Sequence, residues 1–251
     1  RILLVEDNTV NQKVALRMLE VLGYAADLAD NGLAAVEAVQ RQPYDLVLMD
    51  VQMPVMDGLE ATRRIRGLPI AQPRIFAMTA SVLDSERQQC IEAGMERHLA
   101  KPIRKQQLEE VLREIATSRA APEPQPPSAE SGAGDAALAR LVEEVGRDGV
   151  IEVLDAMIGG TELACRNLRE ASAGGDDKRL KREIHSMKAN CAMVGALQLS
   201  ADCRDVERKL ADGADQDRAG LLRDVQSIAA QYAELSAALT RQRARLQTAV
   251  G

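Results

Sequence analysis

The first half of the chain reads as a doubly wound parallel α/β sheet, and the second half as an all-α helical bundle. Three observations predict this. Before residue 117, short apolar runs alternate five times with stretches of helical periodicity, the pattern of a sheet wound with helices. The run Leu46–Met49 is continuously apolar and too short for a helix, as expected of a strand buried on both faces. From Asp135 onward there is no strand signal and no proline, only long apolar stripes at helical spacing.

The first strand is Ile2–Val5, closed by Glu6-Asp7-Asn8. A helix follows with Val14, Met18, Leu19 and Leu22 on one face and Gly23 as its stop. Ala25–Ala29 is a weak strand, and Asp30-Asn31-Gly32 turns into a helix from Leu33 to about Gln40. The Leu46–Met49 strand ends at Asp50, after which Pro54 and Asp57-Gly58 enforce a loop. Then come a helix from Leu59 to Arg66, a strand from Arg74 to Met78 ending in Thr79, and a helix from about Asp84 to Ala93. A last strand near Arg97–Ala100 ends in Lys101-Pro102, and Leu108, Val111, Leu112 and Ile115 mark the closing helix.

At 251 residues the chain has room for two cores. Its net charge of −6 argues against a nucleic-acid partner, which calls for a basic face. Three tyrosines, Phe76 and no Trp also leave little to stack on bases. No apolar run approaches the roughly 18 residues that span a membrane, and no signal peptide opens the chain, so no membrane contact is expected. Cys90, Cys165, Cys191 and Cys203 lack metal-ligand spacing, and three of them fall on apolar helix stripes. They read as reduced core residues of a cytosolic protein. Arg1 already lies within a strand and no Met precedes it, which predicts a piece of something longer.

Four strand ends carry polar groups: Glu6-Asp7, Asp50, Thr79 and Lys101. In open parallel sheets, ligands and chemistry sit beyond the carboxyl ends of the strands. This set suits phosphoryl transfer to Asp50. Mg²⁺ takes hard oxygen ligands, commonly one or two carboxylates plus phosphate oxygens, and Asp7 and Asp50 offer those carboxylates. An aspartate serves as a covalent nucleophile, giving an acyl phosphate, while Lys101 and the Thr79 hydroxyl would hold the phosphoryl oxygens. Taken singly, each residue has a plainer role: Asp50 or Thr79 as a helix cap, Lys101 as a surface charge, Glu6-Asp7 as a turn. Asp57 is better placed than Asp50 to cap the next helix.

The motifs V-E-D-N at 5–8, M-D-V-Q-M-P-V-M-D-G at 49–58, T-A at 79–80 and K-P at 101–102 resemble the receiver domain of two-component response regulators. The resemblance covers residues 1–116. It implies a flavodoxin-like sheet of order 2-1-3-4-5. It further implies phosphorylation of Asp50, and Mg²⁺ held by Asp7 and Asp50, by Glu6 through water, and by the main-chain carbonyl of Gln52. Thr79 would move toward the phosphoryl group together with an aromatic residue three positions before the lysine. That position is His98, so the switch is expected to be muted, or pH-sensitive if His98 titrates; its plainer role is that of a strand-edge residue.

Residues 117–134 hold four of the nine prolines and nothing apolar larger than Ala, which reads as a linker. Its eighteen residues would span about 60 Å fully extended and about 24 Å as a coil. Domains so joined meet at an effective concentration on the order of millimolar.

In the region 135–251, Ile151, Leu154, Ile158, Cys165 and Leu168 form one stripe, allowing for Thr161. Leu199, Cys203, Val206 and Leu210 form a second, and Leu221, Val225, Ile228, Tyr232, Leu235 and Leu239 a third. Gly174-Gly175 and Asp212-Gly213 separate long helices, which predicts a bundle of about four. The helix from about Asp177 to Val194 carries Leu180, Ile184, Met187, Cys191 and Val194 at spacings 4-3-4-3. His185 sits one residue off that stripe, about 100° away from the core. It is expected to face outward, sharing its face with Lys181, Lys188, Ala189 and Ala192. A neutral imidazole there can take a phosphoryl group with Lys188 offsetting its charge; spacing alone is equally met by an ordinary exposed histidine on a basic face.

The segment H-S-M-K-A-N-C-A-M-V-G-A at 185–196 resembles the histidine phosphotransfer (HPt) signature. The resemblance implies His185 as phosphoacceptor, Lys188 as its electrostatic support and Gly195 as a small packing residue. Ala189 stands where Gly is usual and Asn190 where Ser is usual; both are small enough to preserve access.

The expected function is a phosphorelay. Asp50 takes a phosphoryl group from the phosphohistidine of an upstream histidine kinase core, with Mg²⁺, and passes it to His185. His185 then hands it to the receiver of a downstream response regulator docking at its face. The domain order resembles the C-terminal end of a hybrid sensor histidine kinase. The upstream core then belongs to the same or another polypeptide, and these domains are cytoplasmic whether or not the parent chain is membrane-anchored. No ATP-binding kinase core is read in the chain, so ATP and Mg²⁺ alone are expected to give no phosphoprotein. Two other classes of function remain open at this point: a phosphorylation-controlled binding switch in which His185 is dispensable, and a phosphate sink that drains a relay by hydrolysis.

Overall fold

Two strands, β1 (Ile2–Val5) and β3 (Leu46–Asp50), are buried along their whole length, which is why both are apolar without alternation. They form the middle of a five-stranded parallel sheet of order β2-β1-β3-β4-β5, completed by β2 (Ala26–Ala29), β4 (Arg74–Thr79) and β5 (Arg97–Ala100). The computed structural model describes residues 1–79, 84–117, 134–211 and 218–248, without the side chains of 84–86, 116, 117, 134 and 135. Two units divide between Ser131 and Gly132. The linker expected at 117–134 and the Asp212-Gly213 break lie almost wholly or wholly outside the described residues.

In the first unit the helices α1 (Thr9–Val21), α2 (Gly32–Arg41), α3 (Gly58–Arg66), α4 (Asp84–Ala93) and α5 (Lys105–Thr117) alternate with the strands. Local chemistry sets their ends. The Asn8 side chain caps α1 by accepting from the N–H groups of Val10 and Asn11. Asp57 caps α3 through the Glu60 N–H at 2.8 Å, the role its position predicts. Gly23, at φ 84°, ends α1 in the left-handed conformation that glycine adopts without strain. Leu22 is the C-cap of α1 and only half-buried, so the apolar face ends one turn earlier than its periodicity suggests.

The register aligns the polar strand ends. Val5 pairs with Met49, Asp50 with Met78, and Thr79 with Ala100. The order reverses between β1 and β3, and the crevice of such a sheet opens at that switch point. Gly58 fixes the loop beyond β3: a Cβ there would lie 2.1 Å from the Asp50 carbonyl oxygen, so any side chain would displace the Asp50 main chain.

The second unit is all-α, with α6 (Gly134–Gly174), α7 (Asp177–Met193), α8 (Leu197–Ala211) and α9 (Arg218–Thr248). Gly146 interrupts α6 with φ 75° and ψ 166°, a region reserved almost entirely for glycine; the stripe analysis does not foresee this break. Within α6, Ile151 and Ile158 are only half-buried, whereas Val150, Val153, Leu154 and Met157 fill the core. The helix packs against both α7 and α9, so its buried arc is wider than one stripe and shifted by a residue.

The α7 stripe is as expected: Leu180, Ile184, Met187, Cys191 and Val194 are all buried. Asn190 is buried too, and its Nδ2 donates to the Tyr232 hydroxyl of α9 at 3.0 Å. Asn190, expected only to be small enough to preserve access, thus has an amide that serves the core. Gly195, expected as a small packing residue, also has a backbone role. At φ 77° it stops α7, its N–H reaching the Ala192 carbonyl while the Ala196 N–H reaches that of Cys191, a Schellman closure that turns the chain into α8.

Candidate functional site

In the first unit the sheet gathers charge where the strands end. Glu6 and Asp50 are buried to within 1% and 2% exposure, and with Asp7 they offer oxygen atoms within 4.8 Å of one another. The Lys101 ammonium, itself buried, lies 2.6 Å from Glu6 Oε2 and 2.7 Å from Asp50 Oδ2. The Gln52 N–H donates to Asp50 Oδ1 at 3.2 Å, while the Gln52 side chain is exposed. Thr79 ends β4 one residue beyond the register partner of Asp50, and its carbonyl accepts from the Lys101 N–H at 2.8 Å.

Three carboxylates against one ammonium leave a net negative, largely water-excluded pocket. Burial pushes the Asp50 carboxyl up to about 7; Lys101 works against this, while Glu6 and Asp7 reinforce it. For Lys101 burial alone would favour the neutral amine, but Asp50 and Glu6 outweigh it and raise its pKa above the ordinary value. Carboxylate oxygens clustered this way suit a hard divalent cation such as Mg²⁺, which draws on one or two carboxylates and retains waters.

A pH dependence follows. The folded pKa of Asp50 lies above its unfolded value of about 3.9, so the folded state binds the extra proton. Stability from this group is therefore present at low pH and lost as the pH rises from about 4 through about 7. Asp50→Asn is expected to flatten that loss in the metal-free chain. Thermal unfolding of both proteins at pH 5 and pH 8 tests this; an equal pH dependence in the two would contradict it.

His98 is half-buried on β5, next to Ala77 of β4 in the register. Its Nε2 is buried and has no hydrogen-bond partner among the described residues. Burial, aided by Arg87, lowers its pKa, which favours the neutral ring.

In the second unit the outward-facing histidine is covered. The His185 side chain is 14% exposed, because Glu207 of α8 leans over it, with Nδ1 2.7 Å from Glu207 Oε1. The expectation of an open face flanked by free cations is corrected here. Lys188 is equally covered and paired with the other Glu207 oxygen, while Lys181 is exposed and Ala189 and Ala192 are half-buried. Burial works to raise the Glu207 carboxyl, but hydrogen bonds from His185 and Lys188 outweigh it and hold it below the usual carboxylate range.

Motif reading missed Glu207, whose carboxylate bridges His185 and Lys188. An ionised carboxylate only accepts hydrogen bonds, so in a neutral ring the proton sits on Nδ1 and the lone pair on Nε2. Lys188 Nζ also lies 3.4 Å from Nδ1. That contact is longer and the ammonium already has the carboxylate, so the 2.7 Å bond decides the tautomer. Nε2 then carries the ring's free lone pair.

Comparison with known proteins identifies both domains. Residues 2–113 match the family described as response regulator receiver domain, and residues 152–245 match the Hpt domain. "Sensor protein GacS" of Pseudomonas syringae pv. syringae is 32% identical over 225 residues, covering 85% of this chain and 25% of that protein. "Hybrid signal transduction histidine kinase B" of Dictyostelium discoideum is 46% identical over 116 residues, 41% of this chain and 6% of that protein. The chain thus spans a quarter or less of the length of these relatives. Among solved structures, the receiver domain of sensor histidine kinase PA1611 from Pseudomonas aeruginosa PAO1 is 45% identical, with 47% of this chain and 97% of that one covered at a TM-score of 0.44. The chain belongs to these two families: it is a response regulator receiver domain followed by an Hpt domain, the domain pair of a two-component phosphorelay.

Proposed function

We propose that Asp50 and His185 are successive phosphoryl carriers, with a histidine kinase upstream and the receiver of a response regulator downstream. The observation that carries this is the pocket at the strand ends, where buried Asp50 lies 2.7 Å from buried Lys101 and beside two further carboxylates. We take residues 1–116 as the receiver domain, 117–134 as linker and 135–251 as the HPt domain, and place both domains in the cytoplasm.

In the first step an Asp50 carboxylate oxygen attacks the phosphorus of a kinase phosphohistidine. A P–O bond forms, the P–N bond breaks, and its electron pair returns to the departing imidazole. Lys101 lies where it can neutralise the phosphoryl oxygens, and Thr79 at the end of β4 is assigned to hydrogen-bond them. Asp7, Asp50 and the Gln52 carbonyl would hold Mg²⁺, with Glu6 behind them; the ion when bound supplies neutralisation of charge on the phosphoryl group. In the second step His185 Nε2 attacks the acyl phosphate. The P–N bond forms, the P–O bond to Asp50 breaks, and the Asp50 carboxylate is restored. Lys188 offsets charge beside the ring, Gly195 sets the end of its helix, and Ala189 keeps the approach narrow in bulk. His98 stands at the switch position.

Phosphorylation of the intact chain by acetyl phosphate and Mg²⁺, with Asp50→Asn and His185→Gln alongside, tests the scheme. Acid-labile phosphate on His185 that vanishes in Asp50→Asn is expected. Label that stays on Asp50, and is never drained through His185 by a panel of receivers, would point to a binding switch or a phosphate sink.

A further inference from the structure

We propose that Asn11 is a positioning residue for the cation pocket, setting its affinity by holding the Glu6 carboxylate; this rests on the Mg²⁺ reading above. Glu6 is tied through both its main chain and its carboxylate. Its N–H donates to the Ala29 carbonyl at 3.0 Å, and its own carbonyl accepts from Gln12 Nε2 at 2.7 Å. Oε1 accepts from Asn11 Nδ2 at 2.9 Å and from the Asn8 N–H at 3.3 Å, while Oε2 faces Lys101 at 2.6 Å. A buried carboxylate with donors on both oxygens keeps one orientation.

The arrangement divides the work between the two oxygens. Asn11 and the Asn8 N–H take Oε1 toward the first turn of α1, so only Oε2 competes for Lys101, which remains shared with Asp50. Without the Asn11 amide, Oε1 keeps one long hydrogen bond, and the carboxylate is free to turn and draw Lys101 or the cation toward itself. The pocket then loses the fixed spacing of its three acids. Ligand-orienting partners of this kind typically change metal affinity by about 10–100-fold.

Helix capping does not explain the Asn11 side chain. Asn8 already caps α1 through the N–H groups of Val10 and Asn11, and alanine is the better helix former at a position within the helix. The Asn11 amide instead reaches back past the cap to an acid of the pocket, and Gln12 fixes the main chain at Glu6 independently. Loss of Asn11 therefore acts on the carboxylate more than on the backbone that carries it.

The test is Mg²⁺ titration of the full chain, read by amide NMR shifts of the residues around Asp50, for wild type, Asn11→Ala and the volume-conserving Asn11→Leu. The midpoint is expected to rise about tenfold in both variants. Phosphorylation of Asp50 by acetyl phosphate should recover near wild-type extent at saturating Mg²⁺, a split that general loss of structure would not give. Wild-type midpoints in both variants would overturn the inference and leave the Mg²⁺ reading standing. A wild-type chain that binds no Mg²⁺ would overturn both.

Discussion

Lys101→Met is expected to cost the receiver domain about 3–5 kcal/mol without divalent cation, the usual consequence of removing one partner from a buried charge cluster. Lys101 is the ammonium shared by Glu6 and Asp50, at 2.6 and 2.7 Å. Methionine fills similar space, so the loss is one of charge rather than packing. Glu6, Asp7 and Asp50 would then face one another uncompensated. Two conditions should restore stability, and their signs identify the cause. Asp50 already holds its proton up to about 7, and removing the cation raises its pKa further, so the deficit should be smaller at pH 6 than at pH 8. Mg²⁺ should recover more stability in the variant than in wild type, since a ligand present at 100 times its Kd contributes about 2.7 kcal/mol. Urea unfolding with and without Mg²⁺ at the two pH values measures all three. A variant as stable as wild type under every condition would show that the pocket does not hold the net negative charge that its three acids imply.

The strand ends were legible because they depend on chain-local features. A continuous apolar run marks a central strand, and the residue after it falls at the sheet edge whatever the neighbouring strands are. Asp50, Glu6-Asp7 and Thr79 follow from that rule, and the register brings these strand ends to one side; Lys101 follows the polar edge strand β5 and is placed by the β-α alternation instead. Caps such as Asn8 and Asp57 are local as well. What stayed hidden depends on pairing between elements. Asn190 looks like a small residue near an access face until Tyr232 of α9 is set against it. Asn11 looks like any first-turn asparagine until the path from β1 into α1 places Glu6 beneath it. Gly146 is one glycine in a helical run, and only its backbone angles show that the helix breaks there. Glu207 had a usable signal. In an antiparallel helical hairpin, residues equidistant from the turn face each other, and His185 and Glu207 lie eleven residues before and after Ala196.

That symmetry leads to the second large effect: Glu207→Ala should slow phosphoryl acceptance by His185 about 10- to 100-fold. A hydrogen bond to a charged group is worth about 1.5–3 kcal/mol, and each 1.36 kcal/mol is tenfold in rate. Without the carboxylate at 2.7 Å, the ring proton is no longer held on Nδ1, and part of the population presents a protonated, non-nucleophilic Nε2. Lys188 loses its partner at the same time and can donate to Nδ1, which lies 3.4 Å away; that contact favours the wrong tautomer. The two effects act in the same direction. Glu207→Gln retains an acceptor oxygen without the charge, so its rate should fall between those of wild type and alanine. Quenched-flow transfer from a phosphorylated receiver gives the rates. Ring ¹⁵N shifts give the tautomer directly, since the chain has only two histidines and His185→Gln assigns the signal. Slow transfer with an unchanged tautomer would make Glu207 a docking or packing residue, whereas a shifted tautomer in step with the rate would make it the group that aims Nε2 at phosphorus.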